Sequence, residues 1–298
     1  MFKRYGLFFL VNIGVVVTLS IVASLFGLNS YYTQYGINYE QMAIFCLFWG
    51  MGGSFISLAM SKFAAKMFYG VQIVSERDGY GQLIHKVQQM AKAAGLSKMP
   101  EVGIYDSPEV NAFATGPSKN NSLVAVSTGL LNSMSEDEVE GVLAHEVSHI
   151  ANGDMVTMAL LQGVVNAFVM FFARIATFAL QNVLRGDDEE GGFADSLWGH
   201  IIIRFVFEII FSFLSMFIIA YFSRIREYRA DAGAAKLVGR GKMVAALQRL
   251  KRQYEGPNPN VMPNDNMAAF KISSGKAFME LLSTHPRLDD RIEALNRA

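Results

Sequence analysis

Two long apolar runs occupy the first part of the chain. No charged side chain occurs from Tyr5 to Tyr39, and the core of this stretch, Leu7 to Leu28, is long enough to cross about 30 Å of hydrocarbon as a helix. A second uncharged segment covers Gln41 to Ser61. The pattern predicts two membrane-spanning helices. The alternative for the first run is a cleaved signal peptide, which the basic residues before it and the small residues near its end also fit.

Apolar runs return in the second half of the chain. Met155 to Leu184 contains a single charged residue, Arg174, and Ile201 to Phe222 contains Arg204 and Glu208. An ionisable group at bilayer depth is costly unless it is paired. We therefore expect Glu208 to pair with Arg204 or, across a helix interface, with Arg174. The pattern predicts two further spans, and the alternative is a hairpin that packs on the soluble part without crossing.

Charged residues beside the apolar runs predict their orientation. Basic residues follow the second and fourth runs, at Lys62, Lys66, Arg77, Arg224, Arg226 and Arg229. The connection from Asn29 to Glu40 has no Lys or Arg, and the connection from Arg185 to His200 is acidic. Because cytoplasmic loops carry an excess of Lys and Arg, we expect the segments after Lys62 and Ser223 to face the cytoplasm at the inner membrane.

The remaining segments predict a small unit of helices and strands. Short apolar runs bounded by turn residues predict three strands, over residues 102–105, 112–115 and 123–127. Helical spacing and capping signals predict helices over Ser75 to Gly95, from Ser135 to Asn152, from Glu227, over Met243 to Tyr254 and from Pro286. We expect the last two strands to form a hairpin whose edge could pair with an extended peptide. The alternative is that these strands only pack against the hydrophobic core and bind no peptide.

The predicted helix that starts at Ser135 contains an H-E-x-x-H sequence. Residues four apart on a helix lie one above the other, so His145 and His149 present two imidazoles to one point. This arrangement is typical of a zinc site. Glu146, next to the first histidine, is placed to act as a general base. The alternative is a helix with two solvated histidines.

Two histidines leave a zinc ion short of protein ligands. Glu227 is the candidate third ligand because it follows the apolar run that returns the chain to the same side of the membrane. Asp231 shares its helix face and is suited to accept a hydrogen bond from a ligand histidine. On pattern alone, an ordinary solvated helix face flanked by arginines would explain these two acidic residues equally well.

Composition supports a membrane protein. Of the 298 residues, 52% are hydrophobic and only 17% are charged, an unusual balance for a soluble chain. The 26 basic and 26 acidic residues cancel, so nothing indicates a nucleic-acid partner. The single cysteine, Cys46, cannot form an internal disulfide.

Four motifs resemble the HtpX family of bacterial membrane zinc metallopeptidases, and the resemblance extends along nearly the whole chain. The motifs are Asn111 to Gly116 (NAFATG), His145 to Asp154 (HEVSHIANGD), Ser223 to Leu237 with its E-x-x-x-D, and Thr284-His285-Pro286. Relatives often carry a second proline after the last motif, where this chain has Arg287. The departure concerns only the geometry of that turn.

The resemblance implies a ligand set and a role. One zinc ion per chain would be bound by His145, His149 and Glu227, with Glu146 as the base and Asp231 supporting a ligand histidine. It also implies four spans, a cytoplasmic active site and quality control of membrane proteins under stress. Asn111 and His285 are candidate contacts for the substrate or transition state. For His285 the alternative is a residue that only starts a helix.

We therefore predict an α+β, mainly α, integral membrane protein whose zincin-like metallopeptidase domain is built around the H-E-x-x-H helix. The predicted divisions are two spans in 1–61, peptidase segments in 62–154 and 223–298, and two spans with an acidic loop in 155–222. The predicted activity is zinc-dependent endoproteolysis of unfolded or misfolded membrane proteins at the lipid bilayer. The alternatives are a prenyl-protein-processing membrane peptidase and a non-catalytic membrane adaptor with a structural metal or none.

Overall fold

The computed structural model describes residues 32–33, 36–184, 196–255 and 283–297. The first predicted span, most of the acidic connection and the linker after Glu255 lie outside the described residues. In chain order the elements are β1 (Tyr32–Thr33), β2 (Gly36–Ile37), α1 (Tyr39–Ala59), α2 (Ser61–Phe68), β3 (Gln72–Ile73), a 3-10 turn (Glu76–Asp78), α3 (Gly81–Ala93), β4 (Glu101–Tyr105), β5 (Ala112–Ser118), β6 (Asn121–Ser127), α4 (Thr128–Ser133), α5 (Glu136–Asn152), α6 (Asp154–Leu184), α7 (Leu197–Val238), α8 (Arg240–Glu255) and α9 (Leu288–Arg297).

Three of the described helices, α1, α6 and α7, are long and apolar enough to cross a membrane. Helices α6 and α7 contain the third and fourth predicted spans, and α1 covers the second as far as Ala59. One expectation is wrong, because no new helix begins at Glu227. Helix α7 instead continues unbroken from Leu197 to Val238, since no Gly or Pro interrupts residues 200–232. Glu227 therefore lies on the same continuous helix as the fourth apolar run.

The charged side chains within the apolar runs are paired as expected. Glu208 Oε1 lies 3.8 Å from Arg174 Nη1 on α6 and 3.8 Å from Arg204 Nε on α7. Both predicted pairings are thus present. Arg174 is buried, and its guanidinium also lies 5.2 Å from the ring centre of Phe45 on α1. These contacts offset the cost of placing ionisable groups in an apolar environment.

A four-stranded sheet has the order β3-β4-β6-β5. Strands β4 and β6 run parallel, and β5 pairs antiparallel with β6 as the predicted hairpin. The register shifts between Thr115 and Ser118, where Gly116 has a φ of +144°. A Cβ there would come within 2.2 Å of the Asn121 carbonyl oxygen, so this position requires glycine. Within the described residues β5 pairs with β6 alone and lies at the sheet edge.

Helix α5 runs through the middle of the core. The predicted face, Val139, Val142, Leu143 and Ile150, is buried. It packs with buried strand residues and with α8. At Gly141 an added Cβ would lie 2.5 Å from the Lys242 carbonyl oxygen of α8, so the absent side chain allows the two helices to approach closely. The H-E-x-x-H helix is therefore held on several sides by packing.

Two helix starts differ from the sequence-based expectation. Helix α3 begins at Gly81 rather than near Ser75, because Gly79 adopts a left-handed φ of +84° after the 3-10 turn. Helix α9 begins at Leu288 rather than at Pro286. The segment from Ser283 to Arg287 is not helical and bends at Thr284 and His285, and His285 lies next to the site described below.

The described chain divides into two compact units. One is formed by the described parts of Met1–Ser57 and Ala159–Ile219, and the other by those of Leu58–Met158 and Ala220–Ala298. The sheet, α5 and α9 belong to the second unit. Where the membrane boundaries fall stays a prediction.

Candidate active site

Capping at both ends positions helix α5. The Ser135 hydroxyl accepts the Glu138 backbone N–H at 3.4 Å, and the Glu138 carboxylate accepts the Ser135 N–H at 2.8 Å, which is the predicted capping box. Gly153 ends the helix with a φ of +75°. The two histidines, one helical turn apart, consequently lie on one face with their Nε2 atoms 3.0 Å apart.

Glu227 reaches these histidines from α7. Its Oε2 lies 3.4 Å from His145 Nε2, and its Oε1 lies 3.4 Å from His149 Nε2. One potential ligand atom from each of the three side chains lies within 4.8 Å of the others, and all three side chains are buried. Two imidazole nitrogens and a carboxylate oxygen form a donor set that zinc prefers. The structure thus brings together the three residues predicted to bind the metal.

Carboxylates also orient both imidazoles. Asp231 Oδ1 lies 2.9 Å from His145 Nδ1, and Asp154 Oδ2 lies 2.6 Å from His149 Nδ1. When Nδ1 donates its proton to a carboxylate, the lone pair of Nε2 is left for a metal ion. The arrangement therefore fits a bound divalent ion better than it fits two solvated histidines.

The charges at the site reinforce this arrangement. Burial raises the pKa of Glu227, but hydrogen bonds with His145, His149 and His285 outweigh it and bring the pKa far below its usual range. Burial likewise raises the pKa of Asp231, and the hydrogen bonds from Arg291 and His145 lower it overall. Both carboxyl groups are thus ionised and able to compensate a buried cation.

The remaining predicted residues line one cavity of about 810 Å³. Glu146 follows His145 on α5 and is partly exposed, unlike the buried residues beside it. Asn111 immediately precedes β5, and its carbonyl oxygen accepts the Ser127 N–H at 3.0 Å. His285 is exposed and places Nδ1 at 3.1 Å from Glu227 Oε2. His285 therefore lies beside Glu227, a candidate metal ligand, and does not start a helix.

Sequence reasoning missed two residues at this site, Asp154 and Arg291. Asp154 is the first residue of α6, and the left-handed Gly153 turns the chain so that its carboxylate returns to His149. The sequence signal that could have identified Asp154 was its position directly after Asn152-Gly153, the pair that predicts the end of the helix. Arg291 is buried on α9 and bonded to Asp231. In the sequence, Arg291 lies in a stretch rich in charged residues, a pattern that predicts an exposed helix face.

Comparisons with known proteins identify the family to which the chain is similar. The sequence profile of peptidase family M48 matches residues 79–298. Proteins named Protease HtpX from Shewanella oneidensis and Shewanella putrefaciens are each 50% identical over 295 residues, covering 98% of this chain and 99% of theirs.

A solved structure supports the fold. The crystal structure of S. mikatae Ste24p is similar with a TM-score of 0.69 and 21% sequence identity. The match covers 99% of this chain and 65% of that one, so the present chain spans just under two thirds of its length. At this identity the likeness concerns the fold alone. On the profile match and the close relatives, the chain belongs to peptidase family M48 and, within it, to the HtpX family of membrane-bound metalloproteases.

Proposed function

We propose that the protein is a zinc-dependent endopeptidase of the cytoplasmic membrane that degrades unfolded or misfolded membrane proteins. The observation that carries the proposal is the cluster of His145, His149 and Glu227 beside Glu146 at the wall of a large cavity. These three residues would hold the ion. When bound, zinc supplies a Lewis acid that polarises a peptide carbonyl and lowers the pKa of a water molecule.

The chain's own groups carry the proton transfers. Glu146 accepts a proton from the attacking water and later donates it to the leaving amine. Its position next to His145 keeps it close to the ion site without using it as a ligand. Asp231 and Asp154 hold the two imidazoles in the orientation that leaves Nε2 free. His285, beside Glu227, is suited to contact the substrate carbonyl region.

The edge of β5 supports binding of an extended peptide. Asn111 accepts the Ser127 N–H, and the next pair in the register is Ala112 with Val126. Hydrogen-bonded and non-bonded pairs alternate along antiparallel strands. The backbone groups of Ala112 and Ala114 therefore point away from β6, toward the open edge. A peptide paired there would be recognised through its main chain, with little dependence on its sequence.

The cavity beside the catalytic residues supports apolar substrates. Apolar side chains form part of its lining, including those of Val110, Ala112, Leu130, Val142, Met243 and Leu250. Apolar side chains are plentiful in membrane proteins and become accessible when these proteins unfold. An open edge together with this apolar lining suits unfolded membrane-protein chains better than one defined cleavage sequence.

The charge pattern supports a cytoplasmic active site. Lys62 and Lys66 follow α1, and Arg224 and Arg226 follow the fourth apolar run. Protease HtpX relatives at 50% identity over nearly the whole chain favour this function over both a prenyl-protein-processing peptidase and a non-catalytic adaptor. The likeness to Ste24p concerns the fold and gives no separate support for the former.

The test uses the full-length protein purified in detergent under metal-free handling. Adding zinc should start cleavage of an unfolded, casein-like substrate, and a chelator should stop it. Glu146→Gln keeps the size of the side chain but cannot accept the proton, so we expect cleavage to fall by about two to four orders of magnitude. Comparable cleavage by the Glu146→Gln protein would refute the assignment of the base.

A further inference from the structure

Helix α9 contributes one buried charged side chain to the candidate metal centre. Arg291 is only 6% exposed. Its Nε donates to Asp231 Oδ2 at 2.7 Å, and its Nη2 donates to Asp231 Oδ1 at 2.6 Å. Two parallel bonds from one guanidinium fix both the position and the plane of a carboxylate. The orientation of Asp231 is therefore set by α9.

The same guanidinium also contacts a candidate ligand. Arg291 Nη1 lies 3.3 Å from Glu227 Oε2, the oxygen that faces His145 Nε2. Asp231 in turn lies 2.9 Å from His145 Nδ1. Arg291 thus contacts Glu227 directly, and it reaches His145 both through Asp231 and through its own Nη2, which lies 3.4 Å from His145 Nδ1, so that two of the three proposed ligands depend on it.

The local charge explains why a buried guanidinium is tolerated. Glu227 and Asp231 are buried acids, and an unpaired buried charge is strongly destabilising. A second guanidinium near Glu227 belongs to Arg226, whose Nη2 is farther away, at 3.6 Å from Oε1. Arg291 is more buried and contacts both acids, so it is the cation best placed to hold them in one geometry.

We propose that Arg291 is a positioning residue of the metal centre, which holds Asp231 and Glu227 so that His145 and Glu227 keep the orientation required by the ion. This inference rests on the proposed zinc site of His145, His149 and Glu227. It differs from a role in anchoring α9 alone, because an anchor would change stability without changing the coordination of the ion.

The experiment measures metal binding by the full-length protein in detergent, stripped of metal. Zinc affinity is determined with a competing chelator, and Co²⁺ is bound separately because its visible absorption spectrum reports ligand geometry. Arg291→Lys keeps the buried positive charge but cannot form the two parallel bonds. Arg291→Met removes the charge as well. Arg297→Met, an exposed change on the same helix, is the matched control.

We expect Arg291→Met to weaken zinc binding by about 10- to 100-fold, the usual effect of losing a group that orients a ligand. Arg291→Lys should weaken binding less. Both should change the Co²⁺ spectrum, whereas Arg297→Met should leave affinity and spectrum as in the parent. Circular dichroism establishes that each protein is folded, and if Arg291→Met is not, Arg291→Lys decides the question.

His149→Ala separates failure of this inference from failure of the site. If the parent binds no zinc, or His149→Ala binds zinc as tightly as the parent, the proposed metal site and this inference both fail. If zinc binding requires His149 but the folded Arg291 variants keep the parental affinity and Co²⁺ spectrum, the positioning role alone is refuted.

Discussion

At the scale of single residues, the groups around His149 determine how readily the site accepts an ion. Burial disfavours the protonated imidazole, but hydrogen bonds with Asp154 and Glu227 outweigh it and raise the pKa of His149 to about 9. Below that pH the metal-free side chain is protonated. A metal ion binds the neutral imidazole, so binding must displace this proton.

If zinc binds here as proposed, this displacement makes its affinity depend on pH. Because binding displaces one proton from His149, we expect the zinc affinity to rise by about tenfold per pH unit between pH 7 and about 9. Above that range His149 is already neutral, so the affinity should depend less on pH. Asp154→Asn removes a carboxylate that raises this pKa, and should therefore shift the pH-dependent range downward. Chelator competition at a series of pH values measures the effect. An affinity that stays constant from pH 7 to 9 would contradict it.

At the scale of elements, the open edge of β5 is the feature that the proposal uses for substrate binding. The backbone N–H of Ala114 points away from β6, so proline at this position removes a donor from the edge without removing a bond of the hairpin. We expect Ala114→Pro to slow cleavage of a long unfolded substrate severalfold while zinc content remains that of the parent.

A matched variant controls for the side-chain change. Ala114→Ser retains the backbone N–H and should cleave at close to the parental rate. Kinetics of both proteins, together with their zinc content, measure the difference. If Ala114→Pro, with zinc bound, cleaved the substrate at the same rate as Ala114→Ser, the strand would only pack against the hydrophobic core, and the substrate would bind elsewhere.

At the scale of the whole molecule, the charge pattern predicts opposite sides of the membrane for two exposed positions. Ser196 precedes α7, and Lys98 lies in the connection between α3 and β4. With Cys46 removed, Ser196→Cys should react with an impermeant thiol reagent added to intact spheroplasts, while Lys98→Cys should be protected. Lysed spheroplasts provide the control, because both positions should then react. Protection of both in intact spheroplasts would favour the alternative of a hairpin that does not cross.

Much of this arrangement could be predicted because its signals are local. The capping box at Ser135 and the stop at Gly153 bound α5, and the spacing of His145 and His149 then fixes their shared face. Hydropathy identified the apolar helices for the same reason. The continuity of α7 through Glu227 was missed because flanking arginines suggested a boundary where no helix-breaking residue stands.

Contacts between distant parts of the chain could not be predicted in the same way. Arg291 reaches Asp231 across a separation of 60 residues, and no periodicity distinguishes a buried arginine from its exposed neighbours. Asp154 depends on the turn at Gly153, which redirects its carboxylate to His149. Pairing of Glu227 with the histidines followed from the family resemblance and the return of the chain to one membrane side, not from spacing alone.

The central claim is that His145, His149 and Glu227 hold one zinc ion and that Glu146 acts beside it without binding it. Elemental analysis of the reloaded, purified parent, Glu146→Gln, Glu227→Ala and the exposed control Glu293→Ala tests it most directly. We predict about one zinc per chain in the parent, in Glu146→Gln and in Glu293→Ala, with zinc largely lost from Glu227→Ala because two histidines alone hold the ion weakly. Full zinc occupancy in Glu227→Ala would contradict the claim.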